Sequence, residues 1–584
     1  MEGSMPSPDG LPPARYGFAD LRLEADGTLW RGETPLQLPA NELAMLRLLL
    51  KHGGQIVSPL ELQRALFGEA RVAGDHVSEC VASLRDRLQP TDCIENVYKR
   101  GYRISAAVHC ESARQACALP RVAILPVATG IGVEDYLGLA LFDRLLGLLH
   151  GEHGTLASIV ARDSVQTLAR RGLDAREVGK ALEADLVLAC KLEATLDRSR
   201  LRAEMIRVED GAQLWTEDLL APRNQIAQLG WKLVKCLTSR LQAESISISA
   251  DAAATEGAMD PAQSEANELY QRAHHEWQSF ERHRMQDAMR RLVHAIELDP
   301  SLTAARIDLA YLSVTQALFG FMPARAAAKM VHRAAERIAD GSDGADTLLP
   351  ALGWATFYAD RDLAAATRAF ERSGHLKHEE GITNARTLFA LSRGRFDAAI
   401  DLLRAAIELD PFAPVLHARL GWALHLAGEA DASAAVVRHA LAEFPEDDRL
   451  QVYSAMILAY NSEAERACRM AEALAARQPH VDLATAVQAY ALACAGRKEQ
   501  ALELLERLEW LGRERFVLNS FHAAAYVALG ETAIALEELR VANANRCPWF
   551  FQMLADPRLK PLRGQPEFEE MRGVLAAMEA GAAE

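Results

Sequence analysis

Residues 75–104 read DHVSECVASLRDRLQPTDCIENVYKRGYRI. Val77, Val81, Leu84 and Leu88 fall at i, i+4, i+7 and i+11, which predicts a helix from about Asp75 to Leu88 with one apolar stripe. The opposite face carries Ser78, Ala82, Ser83, Arg85 and Asp86. Past Pro90, Ile94–Val97 and Tyr102–Ile104 flank Lys99-Arg100-Gly101, which predicts a β-hairpin with two cations and a glycine at its tip.

The pattern continues upstream. Tyr16, Phe18, Leu21 and Leu23, then Leu29, Trp30, Leu36 and Leu38, predict short strands broken at Asp26-Gly27 and Gly32-Glu33. A helix follows Pro39, with Leu43, Leu46, Leu49 and Leu50 at helical spacing, and stops at Gly53-Gly54. Ser58-Pro59-Leu60-Glu61 is a capping box with proline at the first helical position, so a second helix starts there and runs to about Phe67. The loop Gly68–Gly74 leads into the helix at Asp75. Short strands, two helices, a helix with a polar face and a basic hairpin make an α+β winged helix over residues 15–106. Such a helix fits the DNA major groove and reads base edges, while Lys99, Arg100 and Arg103 on the hairpin reach phosphates or the minor groove.

The segments LPANELAMLRLLLKHGGQIVSPLELQRALFG (38–68), VSECVASLRDRL (77–88) and IENVYKRGYRI (94–104) resemble the OmpR-type winged-helix effector domain of response regulators. The resemblance implies contact with double-stranded promoter DNA through Ser78, Ala82, Ser83, Arg85, Arg71, Lys99, Arg100 and Arg103. It also implies that the loop with Gly68, Glu69, Ala70 and Arg71 matches the segment that touches RNA polymerase in such activators. Ala82 and Ser83 depart from the pattern, since family members often carry Arg or other long side chains there. Few residues precede the first strand, so no phosphoaccepting receiver domain is expected ahead of it.

The chain has 584 residues, half of them hydrophobic and a quarter charged, with a net charge of −16. This composition excludes a disordered chain, a collagen-like chain and a disulfide-stapled miniprotein. Nearly all of the negative charge lies beyond residue 245, away from the winged helix. Nine cysteines with no C-x-x-C spacing fit reduced thiols in a cytoplasm. Met1–Pro13 has no apolar core and is not a signal peptide. The apolar stretch Val122–Val133 is too short to span a bilayer. A soluble cytoplasmic protein without a membrane anchor is expected.

Ala107–Leu119 shows little periodicity and residues 244–265 are rich in Ser, Ala and acid, so both read as linkers. Between them, residues 120–243 alternate strand and helix: a small α/β domain, three-layered or sandwich-like. The run RVAILPV (121–127) with the segments ARDSVQTLARRG (161–172) and AREVGKALEADLVLACKLEATLDRSRLRAEMIRVEDGAQLWTED (175–218) is similar to TolB-like domains, which implies sensing or assembly without chemistry. Arg162, Asp163 and Ser164 read as a capped loop after a strand.

From 266 to 580 the pattern is helical. Asp360, Gly394, Gly428, Gly496 and Gly530 recur at steps of 34 or 68, and Pro411, Pro445 and Pro479 at 34. This is the tetratricopeptide period, with Ser462 where a glycine would suit. Ala288, Ala365, Ala399, Ala467, Ala501 and Ala535 fill one small position, and Ala295, Ala406, Ala440 and Ala542 another. About eight repeats and a short capping region are expected, forming an all-α superhelix with a concave groove for an unknown protein or peptide, or for self-association into a homo-oligomer. Tyr311, Trp354, Trp422, Tyr490 and Tyr526 are candidate groove aromatics, although packing between helices is the commoner use of such residues.

No phosphate loop or nucleophile elbow is present. His274-His275-Glu276 lacks the second zincin histidine, because Ser279 stands there, and His375, His378, Glu379 and Glu380 read as a solvated helix end. No catalytic site, metal or cofactor is expected. The whole architecture resembles HilA-type transcriptional regulators. By resemblance this implies an activator, of virulence or secretion genes in Gram-negative bacteria. The alternative is a tetratricopeptide scaffold whose winged helix binds protein.

Overall fold

The computed structural model describes residues 15–19, 21–23, 28–32, 34–36, 38–51, 57, 62, 76–89, 91, 93–97, 101–106, 108–111, 120–150, 158–223, 226–242, 261–277, 281–336, 345–375 and 380–583. The chain divides into two compact units, residues 1–119 and residues 120–584. Among the described residues no helix is long and apolar enough to cross a membrane.

In the first unit four short strands, β1 (Arg15–Phe18), β2 (Leu21–Leu23), β3 (Leu29–Arg31) and β4 (Thr34–Leu36), form an antiparallel meander. Helix α1 (Ala40–Lys51) and helix α2 (His76–Leu88) come next among the described elements, the helix expected from Ser58 to Phe67 lying outside the described residues except for Leu62, and β5 (Ile94–Val97) pairs with β6 (Gly101–Ile104) as the hairpin. Alternation along β2 sends Leu21 and Leu23 inward, and the stripe Val77, Val81, Leu84, Leu88 meets Met45, Leu46 and Leu49 of α1 in one core. One element lies where a linker was expected: β7 (Val108–Glu111) pairs antiparallel with β1 as a fifth strand of the sheet. Four residues are too few to show periodicity, and the unpaired edge of β1 supplies the partner.

The second unit opens with a six-stranded sheet. Strands β8 (Arg121–Ile124), β9 (Ala128–Thr129), β10 (Ser158–Ile159), β11 (Leu186–Ala194), β12 (Arg198–Arg207) and β13 (Gln213–Pro222) run in the order β10-β8-β11-β12-β13, with β9 beside β11. Period-two alternation splits the neighbours: Val122 and Ile124 face helices α3 (Asp135–His150) and α6 (Ala227–Gln242), whereas Ala123 faces α4 (Arg162–Arg170) and α5 (Ala175–Ala181). The domain is therefore three-layered. The expected loop at Arg162, Asp163 and Ser164 is the first turn of α4 instead; its amphipathic nine residues pack Val165 and Leu168 on the sheet.

Helix pairs follow from Pro261–Trp277, which begins inside the stretch read as a linker, with proline at its first position. Gly394, Gly428, Ser462, Gly496, Gly530 and Gly564 all turn the chain through positive φ between paired helices. Five residues on, Ala399, Ser433, Ala467, Ala501 and Ala535 are buried where two helices approach. The turn expected at Asp360 falls one residue late, on Arg361 (φ +63), and the buried small residue is Ala366 rather than Ala365. The cause is local: residues Thr356–Asp360 form a π-turn, which takes up one extra residue.

The α/β domain is fastened to the array at two separate places. Ser164 is fully buried; its backbone N–H and its hydroxyl both donate to Asp410 Oδ1, and the Phe412 N–H donates to its Oγ at 2.9 Å. Arg171 donates to the Glu443 carbonyl at 2.6 Å and lies over the Phe444 ring. Some 130 residues earlier in the array, His274 sits between Asp308 of its own repeats (2.5 Å) and Asp143 of α3 (3.2 Å), and Arg162 closes on Asp143. Burial works against the charged imidazole, but the Asp308 and Asp143 carboxylates outweigh it and hold its pKa up at about 10.

Two outcomes are expected. Ser462 holds φ +66 without the freedom of glycine, so Ser462→Gly should stabilise the chain by about 0.5–1 kcal/mol, read as a higher unfolding midpoint in denaturant. His274 has a pKa raised above its ordinary 6.5, so its contribution is complete below that pH and is lost as pH rises through about 10. The difference in melting temperature between the unaltered chain and His274→Ala should therefore shrink from pH 6.5 to pH 10, and a difference independent of pH would refute the charged clamp.

Candidate nucleic-acid interface

Helix α2 owes its orientation to its neighbours. With Val77, Val81, Leu84 and Leu88 buried, Ala82, Ser83, Asp86 and Arg87 face solvent. Glu42 of α1 is only 6% exposed, and it holds that helix from below. Ser83 Oγ donates to Glu42 Oε1 at 2.7 Å, and Arg87 Nε lies 2.9 Å from Oε2 as an ion pair without hydrogen-bond alignment. Arg31 of β3 donates to the Leu88 and Gln89 carbonyls at 2.7 Å each, placing a cation at the helix C-terminus where the macrodipole is negative.

The residues expected to meet DNA have several different roles here. Ala82 is exposed. Ser78 Oγ lies 3.1 Å from Tyr102 Oη, tying the start of α2 to β6. Ser83 is exposed but engaged with Glu42. Arg85 is half-buried and gives two hydrogen bonds, 3.1 and 2.6 Å, to the Ile94 carbonyl of β5. Arg103 pairs with Glu95 across the hairpin at 2.7 Å. Lys99, Arg100, Arg71, Gly68, Glu69 and Ala70 lie outside the described residues. Sequence reading missed Glu42: helical spacing flags Leu43 and Leu46, but nothing local marks a carboxylate that will meet residues 83 and 87. Burial of the Cys80 thiol, helped by Glu42, pushes its pKa up and keeps it protonated.

In the array the candidate groove aromatics Trp354, Trp422, Tyr490 and Tyr526 are buried. Trp422 and Tyr490, weighed as groove aromatics against packing within the array, are covered by the chain's own segment after the last repeats. Trp422 Nε1 donates to Gln552 Oε1 at 2.9 Å, and Arg558 lies over the rings of Trp422 and Tyr490. Tyr311 is partly buried and donates to the Thr347 carbonyl. Among the described residues no group of His, Cys, Asp and Glu is arranged to hold a metal ion. His375 is described, but His378 and Glu379 are not.

Residues 33–104 match the family described as transcriptional regulatory protein, C terminal. This is a DNA-binding regulatory domain of the OmpR type. Residues 390–456 match a tetratricopeptide repeat family. Among curated proteins, the transcriptional regulator HilA of Salmonella paratyphi A is 24% identical over 52% of this chain and 54% of its own length. A putative adenylate cyclase of Rhizobium meliloti is 26% identical over 36% of this chain and 35% of its own. A solved tetratricopeptide repeat protein from Parabacteroides merdae is 16% identical, covering 46% of this chain and 99% of that one, with a TM-score of 0.30. The chain thus spans about half the length of the HilA regulator it matches. Its two matched families stand in the same chain as an OmpR-type domain followed by repeats.

Arg85→Ala should first cost structure. Losing both bonds to Ile94 removes about 1–2 kcal/mol from the packing of β5 on α2. Hydrogen exchange on the full chain should show faster exchange at residues 93–97 and in α2, and unchanged protection there would assign Arg85 to another role.

Proposed function

We propose that this chain is a cytoplasmic DNA-binding transcriptional activator that sets α2 in the major groove of promoter DNA and lays the β5–β6 wing along the backbone. The observation that carries this reading is the family match over residues 33–104, with the polar face of α2 outward and the β5–β6 hairpin after it in the same domain. On this reading Ala82 and Ser83 face base edges, and Lys99, Arg100 and Arg103 meet phosphates or the minor groove. Ser78 and Arg85 act as positioning residues that fix helix against wing, and Arg71 adds a phosphate contact. The loop with Gly68, Glu69, Ala70 and Arg71 meets RNA polymerase, and the repeat array contributes protein contacts, with a partner or with a second copy. The likeness to HilA, a transcriptional regulator, supports a role in transcription, and the target set proposed with it is virulence or secretion genes. On this reading the chain acts without catalysis.

A second reading is favoured by one observation. Among the described residues Ser83, Arg85, Arg87 and Arg103 are all engaged within the domain, which suits a protein-binding winged helix on a scaffold.

Fluorescence anisotropy of the full chain with labelled promoter fragments over a salt series separates the two. The activator should bind with affinity that falls steeply with salt. Replacing Lys99, Arg100 and Arg103 by Ala together should weaken binding at least tenfold and flatten the salt dependence by about one unit of slope for each phosphate no longer neutralised. Absent or salt-insensitive binding would favour the scaffold.

A further inference from the structure

The first helices of the repeats, such as Pro414–Leu426, Asp448–Tyr460 and Asp482–Cys494, are buried around nearly their whole circumference. Their partners, such as Ala430–Glu443, bury a single stripe. A helix apolar on all sides needs cover on all sides. The second helices supply one side, and residues 547–562 supply the other.

This segment reaches helices from Thr303–Leu318 to Asn519–Leu529. Trp549 donates from Nε1 to the Leu318 carbonyl at 2.8 Å, and its ring meets Phe521 and Tyr453. Phe551 packs on Phe357. Gln552 accepts from Trp422. Beyond them Asp556 and Arg558 pair at 2.7 Å while buried, Asp556 also meets His425 Nε2 at 3.0 Å, and the Arg558 guanidinium lies over both Trp422 and Tyr490. Apolar anchors at one end and a charged hook in an aromatic and histidine cage at the other are the parts of a peptide-recognition site. A peptide without the carboxylate would leave His425 facing no acid in a dry site.

We propose that the inner face of the array is a peptide-binding site whose ligand is the chain's own segment Cys547–Leu562, permanently seated, so that outside proteins meet the array on a different surface. This holds whether or not the winged helix binds DNA. The array's protein contacts then belong to its outer helices or to the α/β domain.

Hydrogen exchange with mass spectrometry on the full chain tests the permanence. Amides of residues 549–562 should exchange within about tenfold of those in Pro414–Leu426 and Asp482–Cys494. Exchange a hundredfold faster than in those helices, with the helices still protected, would show a segment that leaves on its own and overturn the proposal. A labelled synthetic peptide of residues 547–562 tests the recognition. The unaltered chain should leave it free, and uptake would overturn permanence. A chain carrying Trp549→Ala and Arg558→Ala, which loosen the resident copy, should take the peptide up. If that chain is folded by circular dichroism and still ignores the peptide, the inner face is not a recognition site. Should the double variant fail to fold, Trp549→Ala alone takes its place, with uptake of the peptide expected and refusal by the folded chain again overturning recognition.

Discussion

Asp556 is cut off from solvent, and the array closes around how that charge is held. Burial works to raise its pKa, but the Arg558 guanidinium and His425 hold it well below the usual carboxylate range. Leaving one member of such a buried set unpaired costs about 3–5 kcal/mol, so the three residues bind the segment in a single register. Trp549, Phe550, Phe551 and Met553 are buried with it, each contributing about 1.5–3 kcal/mol. With the segment in place, early and late repeats meet. Arg282 approaches Asp482 at 3.9 Å, and Gly320 sits so close to Leu518 that a Cβ there would clash. Superhelix, plug and end-to-end contact depend on one another.

The α/β domain adds a second brace. By holding Asp410 and Glu443 through α4 and the turn after it, and His274 through Asp143, it ties stretches of the array more than 130 residues apart in sequence.

In the winged helix, polar residues that local pattern offers to DNA are partly spent on architecture. Arg85 holds β5, Ser83 and Arg87 hold Glu42, and Arg103 holds Glu95. An arginine on a helix has reach enough to turn to a backbone carbonyl nine residues away, and spacing cannot say which way it turns. The face of α2 was therefore legible, but the use of each residue on it was not. Missing β7 and misreading α4 have a related cause, since a four-residue strand and a nine-residue helix take their identity from the surface they pack on.

The chain's own order of residues determined what depends on short-range periodicity: the stripe of α2, the pairing of Ile94–Val97 with Gly101–Ile104, the alternation of Val122, Ala123 and Ile124, and the 34-residue turns whose left-handed backbone favours glycine. Only the tertiary structure decided where Glu42 points, that Ser164 meets Asp410, and that Trp422 and Tyr490 receive Gln552 and Arg558. These pairings join residues separated by 41 to 246 positions. Their energy comes from burial and charge pairing in three dimensions, which leaves no period in the sequence; the one trace it leaves is that the first helices are apolar on every side.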